Sequence, residues 1–132
     1  MQLDIVTPDR RVVVAHADDV VIPAKAGEID ILPGHAPFLG LLGTGILRFV
    51  AEGKAIRLMV SGGFIEVDHD RVVLLCESAA LPGEVVPETE AKSLHALEQQ
   101  LAGLGVTSED DEGYQRLRAE VDRSTSKLTL LK

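Results

Sequence analysis

Apolar and polar residues alternate with period two in Ile29-Asp30-Ile31 and again in Ile56-Arg57-Leu58-Met59-Val60. This spacing predicts strands with one covered face, because successive side chains of a strand point to opposite sides. Two other stretches, Arg11-Val12-Val13-Val14-Ala15 and Arg71-Val72-Val73-Leu74-Leu75-Cys76, are continuous β-branched or apolar runs. These read as strands covered on both sides. Turn-forming residues punctuate the pattern at Thr7-Pro8-Asp9, Ala24-Lys25-Ala26-Gly27, Pro33-Gly34, Gly43-Thr44-Gly45, Glu52-Gly53-Lys54, Ser61-Gly62-Gly63 and Asp68-His69-Asp70. Such a rhythm predicts antiparallel hairpins closed into a sandwich or barrel over residues 1–86.

From residue 87 the period lengthens. Leu94, Leu97, Leu101 and Leu104 recur at steps of three and four, which places them on one stripe of a helix. Pro87 suits the first turn, where an amide donor is not needed, and Gly103 and Gly105 suit the end. Thr107 and Ser108 are candidate N-caps for a second helix, and Glu109, Asp110, Asp111 and Glu112 favour the positive end of its dipole. Tyr114, Leu117, Val121, Leu128 and Leu131 form its stripe, which Ser124 and Thr125 weaken in the middle. The prediction for residues 87–132 is an antiparallel helical hairpin. Two such thin stripes bury little by themselves, so the hairpin needs the sheet or another protein to hold it.

Composition narrows the class. The chain has 132 residues, 45% of them apolar and 26% charged, which suits one domain or a small domain with an appendage. Aromatics are 3% with no tryptophan, so the core must come from Val, Leu, Ile and Ala. A formal net charge of −8 argues against nucleic acid or an anionic lipid surface as partner. No run reaches the roughly 18–20 apolar residues of a membrane span, and no signal-type segment is visible. The single cysteine, Cys76, excludes an internal disulfide and suits a reducing compartment. A soluble cytosolic chain is expected.

Convergent catalytic chemistry is sparse. The chain lacks a nucleophile elbow, a phosphate loop, a dinucleotide fingerprint and a paired-cysteine zinc motif. Gly43-Thr44-Gly45 reads as a turn, since no helical pattern follows it. His69 sits between two aspartates in an expected tight polar turn, His16 beside Asp18 and Asp19 at a strand end, and His95 at the edge of the first helical stripe. Cys76 reads as a small buried side chain. His35, in Leu32-Pro33-Gly34-His35-Ala36-Pro37-Phe38, is held by a rigid turn, and either fastens that turn by a hydrogen bond or meets a partner. No catalytic residue, cofactor or metal ligand set is expected. Arg116, Arg118 and Arg123 read either as helix-surface pairs with Glu112 and Asp122 or as a basic face for a partner.

Several segments together resemble the epsilon subunit of bacterial and chloroplast-type rotary ATP synthases. They are Leu3-Asp4-Ile5-Val6-Thr7-Pro8, Gly27-Glu28-Ile29-Asp30-Ile31-Leu32-Pro33-Gly34-His35-Ala36-Pro37-Phe38-Leu39, Gly45-Ile46-Leu47-Arg48-Phe49 and Val60-Ser61-Gly62-Gly63-Phe64-Ile65-Glu66-Val67. The resemblance runs through about residue 80, and the helical part matches in pattern more than in identity. It implies an α+β fold, with an antiparallel β-sandwich of about ten strands over 1–86 and a two-helix antiparallel hairpin over 87–132. It also implies a non-catalytic rotor subunit of a proton-translocating enzyme, peripheral on the cytoplasmic face of the membrane, or on the thylakoid if the source is a plastid. The sandwich would join the gamma subunit to the c ring, and the hairpin would hinder ATP hydrolysis by the alpha and beta subunits. Gly27, Glu28 and Asp30 would face the c ring, His35 and Ser61 would face gamma, and Arg116, Arg118, Arg123 and Lys127 would meet the catalytic subunits.

ATP-binding members of that family carry Ile/Leu-Asp-x-x-Arg-Ala at the start of the first helix. Here Val86-Pro87-Glu88-Thr89-Glu90-Ala91 stands in its place, with Pro87 for the aspartate and Glu90 for the arginine, so weak or no ATP binding is expected. The rival of another class is a metal-dependent sandwich or barrel enzyme of the cupin type, which wants a His-x-His spacing that the chain lacks. A free-standing adaptor is a third reading.

Overall fold

The computed structural model describes residues 1–104 and 111–132. Seven strands form first: β1 (Gln2–Val6), β2 (Arg11–His16), β3 (Asp19–Ala24), β4 (Gly27–Ile31), β5 (Phe38–Ala51), β6 (Lys54–Asp68) and β7 (Arg71–Ala80). A 3₁₀ turn at Pro82–Glu84 leads into α1 (Pro87–Gly103), and α2 (Glu112–Leu130) follows. The strand order is β2-β1-β7-β6-β5-β3-β4. All pairings are antiparallel except β1 with β7, which run parallel.

Seven strands replace the expected ten or so, and the reason lies in the glycines. Gly43-Thr44-Gly45 and Ser61-Gly62-Gly63 read as turns, but they sit inside β5 and β6, where one register holds from Phe38↔Val67 to Ala51↔Lys54 and pairing lapses only at Gly43 and Gly62. What changes there is the buried side. In β6 the core residues Leu58 and Val60 give way to Ile65 and Val67, so the inward parity flips across the glycines. The two strands bend together and pass from one layer of the sandwich to the other. Gly63 makes the bend possible: its φ is +120°, and an added Cβ would stand 1.8 Å from the carbonyl oxygen of Leu75.

The core between the layers is aliphatic. Leu3 and Ile5 of β1, Val20 and Ile22 of β3, Ile31 of β4, Leu47 of β5, Leu58, Val60 and Ile65 of β6, and Val72 and Leu74 of β7 are fully buried. Phe49 is the one fully core aromatic side chain, at 3% exposed. The continuous runs in β2 and β7 behave differently from expectation. Val14 and Leu75 are more than half exposed, so these strands are covered on one face, and apolar residues occupy the uncovered face as well. The segment Leu58–Ser61 departs the other way, being buried on both sides, because α2 packs over β5 and β6.

The helical hairpin forms as expected, with Pro87 in the first turn of α1. Thr107 and Ser108 lie outside the described residues, as do Gly105, Glu109 and Asp110; the N-cap of α2 is Asp111, whose Oδ1 accepts from the Tyr114 amide at 3.1 Å. Leu94, Leu97 and Leu101 are half-buried, and α1 rests on α2 with no fully buried residue. Ser124, whose hydroxyl seemed to weaken the α2 stripe, is buried and donates to Glu90 Oε1 at 2.6 Å across the hairpin. Where α2 meets the sheet, Leu130 joins Met59, Ala80 and Val85 in a second, small apolar cluster flanked by Ile46.

Candidate interaction surfaces

Register carries one apolar row across the outer face of four strands. Phe64 stands opposite Leu41 on β5 and Leu75 on β7, and Leu75 stands opposite Val6 on β1. Directly paired residues share a face, so these side chains form one band. Phe64 is 56% exposed, Leu75 52%, Leu41 49%, and Leu39, one rung further, 75%. A groove of about 450 Å³ runs beside the band, lined by Val6, Pro8, Phe64, Leu75 and their neighbours. Isolated exposed leucines are common on protein surfaces, but a contiguous band is the signature of a docking face.

Polar groups rim the band on both sides. The next rung carries Glu66 on β6 and Asp4 on β1, and Arg71 binds the Asp4 carboxylate at 3.1 Å. On the other side a polar cleft of about 500 Å³ is lined by Thr7, Asp9, Arg10, Glu77, Ser78 and Glu84. The Thr7 hydroxyl donates to Asp9 at 2.6 Å and, with the Arg10 charge nearby, holds that carboxyl below its ordinary range. An apolar centre with a charged rim is the usual anatomy of a protein–protein interface.

The proline-flanked loop lies at the near end of this face, where Pro37, Phe38 and Leu39 meet Glu66, Val67 and Asp68. His35 is exposed at its tip. Its amide donates to the Leu32 carbonyl at 3.0 Å and its Nδ1 to the Ala36 carbonyl at 2.6 Å, while Gly34 takes φ +85°. The histidine thus fastens its own turn and still presents the rest of the ring outward. Ser61 is placed differently: it is 2% exposed, and its hydroxyl shares a 2.8 Å hydrogen bond with that of Thr44 at the bend of β5 and β6.

A separate acidic corner sits on the β3–β4 hairpin. Gly27, at φ +137°, turns the chain, and Glu28 and Asp30 are exposed on β4. Asp30 faces Asp19 of β3, whose Oδ1 is buried without a hydrogen-bond partner. The Asp19 carboxyl is pushed up from its ordinary range chiefly by Asp30 and by burial, and Arg48 offsets this in part.

On α2, Arg116 and Arg118 are exposed, Arg123 and Lys127 are half-buried, and Arg118 pairs with Asp122 at 3.4 Å. Glu90 is engaged by Ser124. His16, His69 and His95 are exposed, and His69 contacts Asp68 at 2.7 Å in its turn. Cys76 is buried, and burial pushes its thiol up to about 12. Among the described residues no group of three or more His, Cys, Asp or Glu side chains is placed to hold a metal ion. Among them, too, no helix is long and apolar enough to cross a membrane.

The sequence reading did not single out Leu39, Leu41, Phe64 or Leu75. A signal existed: the run in β7 includes more apolar residues than one covered face can use, which leaves Leu75 outside once Val72 and Leu74 are placed inside.

Residues 1–82 match the family model for the beta-sandwich domain of the ATP synthase delta/epsilon chain. The chain is 42% identical to the ATP synthase epsilon chain of Carboxydothermus hydrogenoformans over 102 residues, 77% of this chain and 76% of that relative. It is 35% identical over 127 residues to the ATP synthase epsilon chain of a Synechococcus species, covering 96% of this chain and 88% of the relative. Its fold is similar to that of a chain in the solved Euglena gracilis mitochondrial ATP synthase, with a TM-score of 0.77, 23% identity, and coverage of 98% of this chain and 80% of that one.

Proposed function

The chain belongs to the ATP synthase delta/epsilon chain family, and from that premise we propose that it is the non-catalytic epsilon subunit of the central stalk, coupling gamma to the c ring. The family match over residues 1–82 carries this reading, and the exposed apolar band gives it a physical means. A coupler must grip two neighbours at once, and the sandwich offers two distinct faces. The band of Leu41, Phe64 and Leu75, with Leu39 and His35 at its end, suits the gamma subunit. Ser61 supports this face through Thr44 at the bend, since at 2% exposed it touches a partner only after being uncovered. The acidic hairpin with Gly27, Glu28 and Asp30 suits basic loops of the c ring.

The metal-dependent enzyme of the cupin type finds no support in the comparisons, which lead to a different family. In this assignment the subunit sits peripherally on the cytoplasmic face of a proton-translocating enzyme. Residues 87–132 act as the regulatory segment, and Arg116, Arg118, Arg123 and Lys127 meet the alpha and beta subunits when the hairpin leaves the sheet. ATP binds weakly if at all, because Pro87 and Glu90 replace the expected aspartate and arginine and Glu90 is held by Ser124. The test is reconstitution of the full chain with gamma, the c ring and the catalytic subunits. Stable capture of gamma and the c ring, with hydrolysis rising on truncation after Pro87, is the expected result. Assembly of a coupled enzyme without the chain would overturn the reading.

A further inference from the structure

The segment between β7 and α1 is held by a contact between residues far apart in sequence. Arg10, in the turn between β1 and β2, grips Glu84 with both terminal guanidinium nitrogens, at 2.6 Å to Oε2 and 2.7 Å to Oε1. Glu84 Oε1 also accepts the Leu81 amide at 2.8 Å, so one carboxylate closes the 3₁₀ turn and anchors it to the neighbouring β1–β2 turn, beside the end of β7. The next residue, Val85, is 9% exposed and lies in the small cluster with Met59, Ala80 and Leu130. That cluster is the apolar seat of α2 on the sheet, and α1 rests on α2 rather than on the strands.

We infer that the Arg10–Glu84 ion pair is a clasp that keeps the helical hairpin docked, by holding Val85 in the seat that receives Leu130. The two helices cover little apolar area for their length, so the docked state balances on a few contacts. A bidentate guanidinium–carboxylate pair is directional and fixes the strap in one position. Being exposed, it is also sensitive to ionic strength, whereas the apolar seat is not weakened by salt. The clasp therefore confers a salt response on hairpin docking that the seat alone lacks. Its link to inhibition of hydrolysis rests on the function proposed above, but its effect on docking does not.

Hydrogen exchange on the full chain separates the two. In Arg10→Ala and in Glu84→Gln, amides of α2 between Val121 and Leu130 should exchange roughly two- to fivefold faster than in the parent chain, the range set by an exposed ion pair. Amides of β6 and β7 in the sandwich core serve as the internal reference and should not change. The parent chain should lose α2 protection as salt rises from low to molar concentration, and the single variants should not respond. The exchanged pair Arg10→Glu with Glu84→Arg should recover protection. The clasp is refuted if α2 exchanges alike in all chains, if the core strands accelerate by the same factor, or if the exchanged pair fails to recover. A chain that keeps the clasp and yet fails to bind gamma would count against the proposed function and leave the clasp standing.

Discussion

Phe64→Ala separates a side chain that serves the fold from one that serves a partner. Phe64 is 56% exposed, on the outer side of β6 between Leu41 and Leu75. A phenylalanine presents roughly 200 Å² when fully open, so about 110 Å² remains for a partner to cover. At about 25 cal/mol per Å², covering that area is worth about 2.8 kcal/mol, or roughly a hundredfold in the dissociation constant for gamma. Ordering costs lower the yield of a whole interface, but they largely cancel when one residue is compared with its truncation. Fold stability should fall by only about 1 kcal/mol, because half of the ring is already wet. Leu58→Ala is the contrasting control: at 0% exposed it should cost about 2–5 kcal/mol of stability, and its effect on gamma should follow from unfolding alone. The assay is calorimetric titration of gamma with each variant, alongside thermal unfolding. A variant that melts like its parent and binds gamma with unchanged affinity would refute the assignment of this band to that partner. A loss confined to stability would do the same.

Gly63→Ala should lower the melting temperature by about 10 °C or more, since the added methyl group meets the Leu75 carbonyl and the backbone is left-handed, whereas Gly83→Ala, with open space around it, should be nearly silent in the same scan. Asp19→Asn should stabilise the fold at neutral pH. The folded carboxyl lies above its unfolded value, so the wild type loses stability as pH rises through that folded value; the gain should therefore vanish at low pH, and equal stability of both chains at every pH would refute the reading. Glu84, held down at about 2 chiefly by Arg10, has the opposite sign: its contribution is present above the ordinary glutamate range and is lost as pH falls toward 2, which acid titration of hairpin docking should trace. Glu28→Lys should weaken binding to the c ring roughly two- to tenfold at low salt, with the difference shrinking as salt rises, and unchanged binding would detach this hairpin from the ring.

Much of the sandwich was legible because hairpin turns need residues that tolerate unusual backbone angles. Glu52-Gly53 and Asp68-His69-Asp70 both fall at the ends of strands, as the punctuation predicts. The same logic fails at Gly43 and Gly62, where glycine permits a bend inside a paired ribbon; pattern alone does not distinguish a chain that turns back from one that turns a corner. The helical stripe of α1 was readable from its leucines. The seat of α2 was not, because Leu130 lies beside the predicted stripe and acquires its role from Met59 and Val85, far away in sequence. The apolar band was hidden for a related reason: a run such as Arg71–Cys76 looks the same whether its second face meets a helix, a partner or water. Arg10 and Glu84 carry no local signal at all, since only the folded chain brings a turn near residue 10 to the strap near residue 84.

The crossover of β5 and β6 has a mechanical consequence. Sandwiches built from separate sheets can shear, one leaf sliding over the other, because nothing but side-chain contact joins them. Here a single hydrogen-bonded ribbon threads both leaves, from Phe38↔Val67 at one end to Ala51↔Lys54 at the other. Lateral load on either leaf must wind that ribbon instead of displacing it. Compliance then gathers at the four glycines of the corner, Gly43, Gly45, Gly62 and Gly63, which makes the corner a torsion spring in series between whatever the two leaves hold.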